Sequence, residues 1–236
     1  MRSVSPLLIV SLLGLSGACA PEGSSAYVSR NVPLNASCEP VEEGVGIATG
    51  MYDVGSSSSP ERCIHPYTMS LYINSNLKAN AREATGRAEP NVLLITHADV
   101  RLMDSGEGTL DFGDAAYPNP YRVQTAAALN PTTNDMPQTG IVQIEAIPKV
   151  YAKRFASNQF DGQNVLVEVQ LAGTTTGDVD VEFRPFLYPL VICRGCLSFC
   201  RTKDLASDAT RINALMGDNC ADNAAQDDRA CIDPDC

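Results

Sequence analysis

The chain has 236 residues, a formal net charge of -11 at pH 7, and a composition that is 44% hydrophobic and 19% charged. These values are typical of a folded protein with one β domain and an appendage, or of two small domains, and they argue against disorder. The acidic balance, with no cluster of Lys and Arg, argues against nucleic acid as a partner and against electrostatic binding to an anionic bilayer.

Residues 1–20 have the parts of a secretory signal peptide. Arg2 gives a basic start, an apolar run extends from Leu7 to Leu15, and small residues follow. The apolar run is far shorter than the roughly 20 residues that cross a bilayer. We therefore predict that residues 1–19 form a signal peptide, which directs export and is then cleaved near its end.

The fate of Cys19 determines whether the mature chain is anchored to a membrane or released. Gly17-Ala18-Cys19 is similar to a bacterial lipobox, whose cysteine is acylated, so Cys19 is the predicted lipid acceptor and the anchor to the membrane. Ser16 stands where lipoboxes usually have Leu, and Ala18-Cys19-Ala20 also suits ordinary signal peptidase, so soluble release is the alternative. Residues 20–37 are small, polar and Pro-containing, which predicts a tether.

Either cleavage route takes Cys19 out of the thiol pool, by acylation or by removal with the leader, and leaves eight of the nine cysteines. An even number in an exported chain predicts structural disulfides, four in this case. The eight candidates are Cys38, Cys63, Cys193, Cys196, Cys200, Cys220, Cys231 and Cys236. Eight cysteines allow about a hundred pairings, so connectivity stays open. We expect Cys38 to pair with Cys63, and the others to cross-link the C-terminal segment.

Cys193-Arg194-Gly195-Cys196 is a C-x-x-C motif, which makes thiol-disulfide redox chemistry the main alternative to a structural role. Redox motifs of this kind lie at a strand-to-helix turn, whereas this one follows a long β pattern. A zinc site at Cys193, Cys196 and Cys200 would need a second closely spaced pair, and none follows. No metal and no cofactor are predicted.

Alternating apolar and polar residues dominate the middle of the chain and predict strands with one buried face. The predicted strands cover residues 45–51, 67–73, 97–102, 121–125, 142–146, 165–171 and 179–183. Turn-rich segments separate them, and no helical stretch is long enough for a βαβ crossover. We predict an all-β domain over residues 38–200, an antiparallel immunoglobulin-like β-sandwich, with a closed barrel as the alternative.

Residues 201–236 are predicted to form a short helix and a cysteine-rich tail. The helix is expected to end at Gly217, and four apolar residues lie on one of its faces: Leu205, Ala209, Ile212 and Met216. The tail is acidic and short of large apolar residues, so disulfides must order it.

Catalytic motifs are missing from the sequence, including H-E-x-x-H, G-x-S-x-G and phosphate-binding loops. His65 precedes a proline, and His97 shares a strand face with Asp99. We interpret His97 and Asp99 as a solvent-facing polar strip rather than a catalytic pair. No enzyme activity and no catalytic residue are predicted.

Two acidic segments could suit calcium. One holds Asp104, Glu107, Asp111 and Asp114, and the other holds Asp218, Asp222, Asp227 and Asp228. Neither has an EF-hand register, and acidic loops of an acidic protein are usually solvated, so no metal site is assigned to them.

The run from Tyr188 to Leu197 (YPLVICRGCL), behind a lipobox-like leader and before a cysteine-rich end, resembles uncharacterised surface lipoproteins of myxobacterial type. The resemblance implies a location and no activity. Together with the leader, the strand pattern and the missing catalytic motifs, it leads us to expect a lipid-anchored cell-envelope protein, on the outer rather than the inner membrane. The expected role is binding or structural, with an unidentified envelope protein or glycan as partner. A redox protein using Cys193 and Cys196, and a soluble secreted or periplasmic binding module, are the alternatives.

Overall fold

The computed structural model describes residues 26–34, 39–41, 45–54, 66–77, 80–82, 87–89, 92–131, 137–156, 160 and 162–194. The leader, the predicted C-terminal helix and tail, and every cysteine except Cys193 lie outside these residues. Within them the chain is mostly β, which confirms the predicted class.

Eleven strands and one helix occur in the described part of the chain. The strands are β1 (Ala26–Asn31), β2 (Gly50–Asp53), β3 (Tyr67–Ser75), β4 (Asn80–Arg82), β5 (Arg87–Glu89), β6 (Leu93–Met103), β7 (Tyr121–Leu129), β8 (Gln138–Ile147), β9 (Asn164–Thr175), β10 (Asp180–Glu182) and β11 (Phe186–Cys193). The helix is α1 (Lys149–Phe155), and it follows β8.

The strands form two main sheets. The smaller sheet has the order β1-β3-β8, and the larger has the order β2-β11-β9-β6-β7, with β10 added beside β9. Strands β4 and β5 pair only with each other. Every pairing is antiparallel, as predicted, except that of β2 with β11, which is parallel.

The inward faces of the two sheets share one core. The rings of Tyr52 on β2 and Tyr67 on β3 lie 5.4 Å apart, and the Tyr67 hydroxyl lies 3.4 Å from that of Tyr188 on β11. All three tyrosines are fully buried. Burial of an aromatic side chain of this size stabilises a fold by about 1.5–3 kcal/mol, so these contacts hold β3 of the smaller sheet against the larger one.

Burial of Tyr52 makes the stability of the domain sensitive to alkaline pH. Desolvation raises the pKa of the Tyr52 hydroxyl far above its ordinary value of about 10, and burial also raises the pKa of Tyr121 well above that value. Below about pH 10 both hydroxyls are protonated in the folded and unfolded chains alike, so their contribution is complete there.

Above about pH 10 only the unfolded chain releases these protons, so the free energy of unfolding should fall, by about 1.4 kcal/mol per pH unit for each such tyrosine. Urea unfolding followed by circular dichroism at pH 8 to 11 measures the slope. Tyr52→Phe should make the slope shallower, while Tyr27→Phe, at an exposed tyrosine, controls for loss of a hydroxyl. Equal slopes for parent and Tyr52→Phe would contradict this account.

Strands β7 and β8 belong to different sheets but are joined by side chains. The Tyr121 hydroxyl donates a hydrogen bond to the Ala146 carbonyl (2.5 Å), and the Thr125 hydroxyl donates one to the Gln143 carbonyl (2.8 Å). Side-chain hydroxyls therefore satisfy β8 carbonyls that a continuing sheet would pair with backbone amides. The two sheets stay distinct in their hydrogen bonding at this edge.

Strand β6 contains a register shift between Ile95 and His97, in its pairing with both β7 and β9. Before the shift Ile95 is buried, and after it Ala98 is buried, so the extra residue reverses which parity faces the core. The predicted alternation from residue 97 to 102 is confirmed, but it could not be extended backwards through the bulge.

Gly173 on β9 lies opposite this bulge. A Cβ atom at Gly173 would stand 2.1 Å from the carbonyl oxygen of Leu94 and 2.9 Å from the Cα of Ile95. Both are backbone atoms, which cannot move aside without disturbing the ladder. Glycine is therefore what allows β9 to run this close to the bulged strand.

The predicted tether needs correction. Ala26–Asn31, within the range 20–37 expected to be a tether, forms β1 at the edge of the smaller sheet. Its run AYVSRN is short and rich in small and polar residues, and its buried residues Ala26 and Val28 gain their environment from β3, more than forty residues later. Burial supplied by so distant a partner leaves little local pattern.

Near the end of the described chain, strand β11 includes all six residues of YPLVIC, from Tyr188 to Cys193. Pro189 has no amide hydrogen to donate, and the pairing of β11 with β2 begins only at Leu190. The position therefore tolerates proline inside an otherwise paired strand.

Candidate binding surface

The acidic loop between β6 and β7 uses its carboxylates to close its own turns. Asp104 Oδ1 accepts hydrogen bonds from the amides of Gly106 (2.8 Å) and Gly108 (2.9 Å). Asp111 accepts one from Gly113, and Asp114 one from Ala116, in the same manner. In each of the three turns the carboxylate accepts from the amide two residues on, and Asp104 also accepts from the amide four residues on.

The acidic side chains of this loop do not converge. Within the described residues no group of three Asp, Glu, His or Cys side chains is placed to hold a metal ion. The second acidic segment, with Asp218, Asp222, Asp227 and Asp228, lies outside the described residues.

The loop is fixed to the sheet by Asn119. Its side-chain amide donates hydrogen bonds to the carbonyls of Leu102 (2.7 Å) and Leu110 (2.8 Å), and its oxygen accepts one from the Leu102 amide (2.9 Å). The side chain thus acts as a strand partner for Leu102 where β7 has not yet begun. Aromatic contacts below it, such as Tyr121 stacked on Tyr151 at 4.4 Å, connect this end of the sheet to α1.

His97 and Asp99 lie on the outer face of the larger sheet, where the sequence placed them. The Asp99 carboxylate accepts two hydrogen bonds from Arg122 on β7, at 2.7 and 2.9 Å, and this bonding lowers the pKa of Asp99. His97 Nδ1 lies 3.0 Å from the Thr96 hydroxyl. The two residues therefore have different hydrogen-bonding partners and do not orient each other.

A second ion pair continues this pattern on the same face. Arg101 on β6 bonds Glu168 on β9 at 2.6 and 2.9 Å. Pairs of this kind near the surface contribute little to stability, because water and salt screen their charges. Their main effect here is that the charged side chains in the middle of the face neutralise each other across neighbouring strands.

Cys193 ends β11 and is buried. It is disulfide-bonded, and its partner lies outside the described residues. Its sulfur lies 3.6 Å from the Tyr52 carbonyl oxygen, which is a packing contact, because a disulfide sulfur has no proton to donate. The remaining candidates, Cys19 among them, lie outside the described residues, so lipidation and pairing stay predictions.

The outer face of the smaller sheet has a different character. We call it the tyrosine face and define it by six residues that are exposed or half-buried: Tyr27, Ser29, Tyr72, Asn74, Thr139 and Gln143. None of them is charged. Tyr27 is 39% exposed, and its ring combines an apolar face with a polar hydroxyl.

The strand register brings these side chains together. Tyr27 on β1 stands opposite Asn74 on β3, and Asn74 stands opposite Thr139 on β8. The register shift between Val28 and Arg30 places Arg30 opposite Tyr72, and its guanidinium lies 4.0 Å from the centre of that ring. A row of ring, amide and hydroxyl groups therefore crosses all three strands.

Some polar groups on the tyrosine face are hydrogen-bonded within the protein, and others are not. Ser29 donates to the Tyr72 carbonyl (3.2 Å) and Gln143 to the Ser70 hydroxyl (3.3 Å). Among the described residues, the Tyr27 and Tyr72 hydroxyls and the Asn74 amide form no such side-chain bond. These groups are available to a ligand.

The sequence alone does not locate this surface. Alternation places Tyr72 and Asn74 on the outer side of β3, but Tyr27 and Ser29 fall in the range interpreted as a tether. The alternation of residues 26–29 was the feature of the sequence that could have indicated a strand. Only the pairing of this segment with β3 shows that Tyr27 and Ser29 lie on the same face as Tyr72.

Comparison with known proteins found no family model that matches the chain, and no curated protein matches it. In the described part of the structure, no helix has the length and apolarity that crossing a membrane requires.

Proposed function

We propose that the mature protein is an exported cell-envelope protein, held by a lipid on Cys19, whose β domain acts by binding or assembly rather than by catalysis. The outer membrane is the proposed site, and the soluble secreted or periplasmic form is the alternative. The observation that carries the binding role is the tyrosine face, where the exposed Tyr27 ring and polar groups without intramolecular side-chain bonds lie on a paired sheet.

The finer fold assignment is an immunoglobulin-like sandwich. In that fold one sheet has the order A-B-E-D, and the other contains C-F-G with additional strands beside C. The order β1-β3-β8 would correspond to A-B-E, and β11-β9-β6-β7 to G-F-C with one added strand. Two observations favour two packed sheets over a closed barrel: the shared core, and the side-chain hydrogen bonds that join β7 to β8. Neither β3 nor β9 carries the cysteine of antibody domains.

Support for the proposed location in the cell envelope comes from the sequence. The signal peptide, the lipobox-like Gly17-Ala18-Cys19 and the resemblance to surface lipoproteins all point to the envelope. The even number of remaining cysteines suits an oxidising compartment.

Support for binding over catalysis comes from how the described ionisable groups are used. Asp99 and Arg122 bond each other, as do Arg101 and Glu168, and the loop carboxylates close turns. General acid-base catalysis needs a group with a free position for substrate, oriented by a second group. Among the described residues, no carboxylate is hydrogen-bonded to His97, whose Nδ1 lies near the Thr96 hydroxyl.

Intact-mass spectrometry of the protein purified from membranes tests the proposal. We expect a chain that begins at Cys19, carries diacylglyceryl and acyl groups, and has every other cysteine oxidised. Cys19→Ala should yield a soluble or unprocessed form without the lipid mass. A full-length chain recovered from cytosol with reduced thiols would overturn the proposal.

Thiol alkylation of the native protein separates the binding role from the redox alternative. A redox pair at Cys193 and Cys196 would, after mild reduction, give a rapidly alkylated thiol of low pKa. We expect none, because Cys193 is buried at the end of β11. Loss of thiol-disulfide exchange activity in Cys196→Ser would instead support the redox role.

A further inference from the structure

We propose that the tyrosine face binds an uncharged glycan chain. The inference rests on the proposed binding role and names the partner class for it. It follows from the charge of this face, from the chemistry of its side chains and from their fixed spacing.

Charge separates the tyrosine face from the rest of the molecule. In a chain of net charge -11, its six defining residues carry none. Arg30, whose guanidinium lies over the Tyr72 ring, and Glu145, the next outward residue after Gln143 on β8, are of opposite sign, so the face has no net charge. The face therefore lacks the field that would attract a cation or a polyanion. A neutral ligand fits it best.

The side chains match the needs of a sugar. A pyranose ring has an apolar C–H face and a rim of hydroxyls that both donate and accept hydrogen bonds. Tyr27 offers a partly exposed aromatic ring, and Asn74, opposite it on β3, has a side-chain amide that can donate and accept at once. The Thr139 hydroxyl continues the row on β8, so successive sugar hydroxyls can be met on neighbouring strands.

A protein partner fits this face less well. The centres of protein interfaces are dry and apolar, with aromatic and aliphatic anchors. Here the aliphatic contribution is limited to Ile141, which is half-buried opposite Tyr72. The polar groups between the two tyrosines would be left without water in such an interface.

The face is pre-organised. Its residues lie on three paired strands rather than on loops, and the Asn31 side chain accepts a hydrogen bond from the Ser70 amide (2.9 Å), which fixes β1 against β3. Arg30 holds the Tyr72 ring from one side. A ligand therefore does not have to order the platform on binding.

Binding of the mature protein to soluble neutral polysaccharides tests the inference. A β-glucan, an α-glucan and a mannan are the probes, with alginate as an acidic comparison, in affinity electrophoresis and calorimetry. We expect binding to at least one neutral probe and none to alginate. Tyr27→Ala and Asn74→Ala should each weaken it by about tenfold or more, and Tyr27→Phe much less.

Gln124→Ala, on the outer face of the larger sheet, is the matched control and should bind like the parent. Melting temperatures of all variants show whether a loss reflects unfolding. The inference would be overturned by binding to none of the neutral probes or by preference for alginate. Tight binding to a purified envelope protein alone, or equal weakening by Gln124→Ala, would also overturn it. The mass measurement on Cys19 is independent, so the proposed function can stand when this inference falls.

Discussion

Gly173→Ala is expected to destabilise the domain by about 3 kcal/mol or more. The added Cβ would stand 2.1 Å from the Leu94 carbonyl oxygen, so either β9 must move away from β6 or the bulge must rearrange. Both responses break pairing between the two central strands of the larger sheet. Urea unfolding at neutral pH, followed by circular dichroism, measures the change.

Thr174→Ala is the matched control for Gly173→Ala. Thr174 is the next residue on β9 and stands opposite Leu94, but its side chain is only half-buried on the outer face. We expect its effect to stay within about 0.5 kcal/mol. A Gly173→Ala variant as stable as this control would show that β9 does not approach the bulge as described.

Gly50→Ala is the second large effect that we expect, at about 2–3 kcal/mol. Gly50 lies at the start of β2, against the buried tyrosines that join the two sheets. A Cβ there would stand 2.2 Å from the Tyr67 hydroxyl oxygen and 2.8 Å from Tyr188 Cε1 and Leu190 Cδ1. These side chains are fully buried and have no room to withdraw.

A second substitution makes this prediction specific. Tyr67→Phe removes the hydroxyl nearest to the new Cβ, so it should recover at least about 1 kcal/mol in the Gly50→Ala background. Tyr188→Phe also removes the Tyr67–Tyr188 hydrogen bond but keeps Cε1 in place, so it should recover nothing. Equal recovery by both variants would contradict the proposed contact.

The strand pattern of the middle of the chain could be predicted because burial there alternates regularly. Residues 67–73 and 165–171 are confirmed within β3 and β9, since each has one face on the shared core. In β7 the residues after Thr125 are alanines and a leucine, which show no polar alternation, so the predicted strand is four residues shorter than the observed one.

Other parts depend on distant contacts that a local pattern does not record. β1 is defined by its pairing with β3, and α1 by the burial of Tyr151, Ala152 and Phe155 against the loop before β7. His97 and Asp99 could be placed on one face from spacing alone. That Arg122, from the next strand, bonds the Asp99 carboxylate could not, because it depends on the register.

The parallel pairing of β2 with β11 has a consequence for how the chain matures. Synthesis makes Gly50–Asp53 early, yet its neighbour in the sheet, Phe186–Cys193, is among the last described residues to emerge. β2 can therefore join the sheet only after nearly the whole domain has been synthesised, and contacts between segments so far apart in sequence form slowly. A nascent chain that stops before residue 186 lacks β11, so its β2 has no strand to pair with. The domain can therefore be completed only when its last described strand has been made.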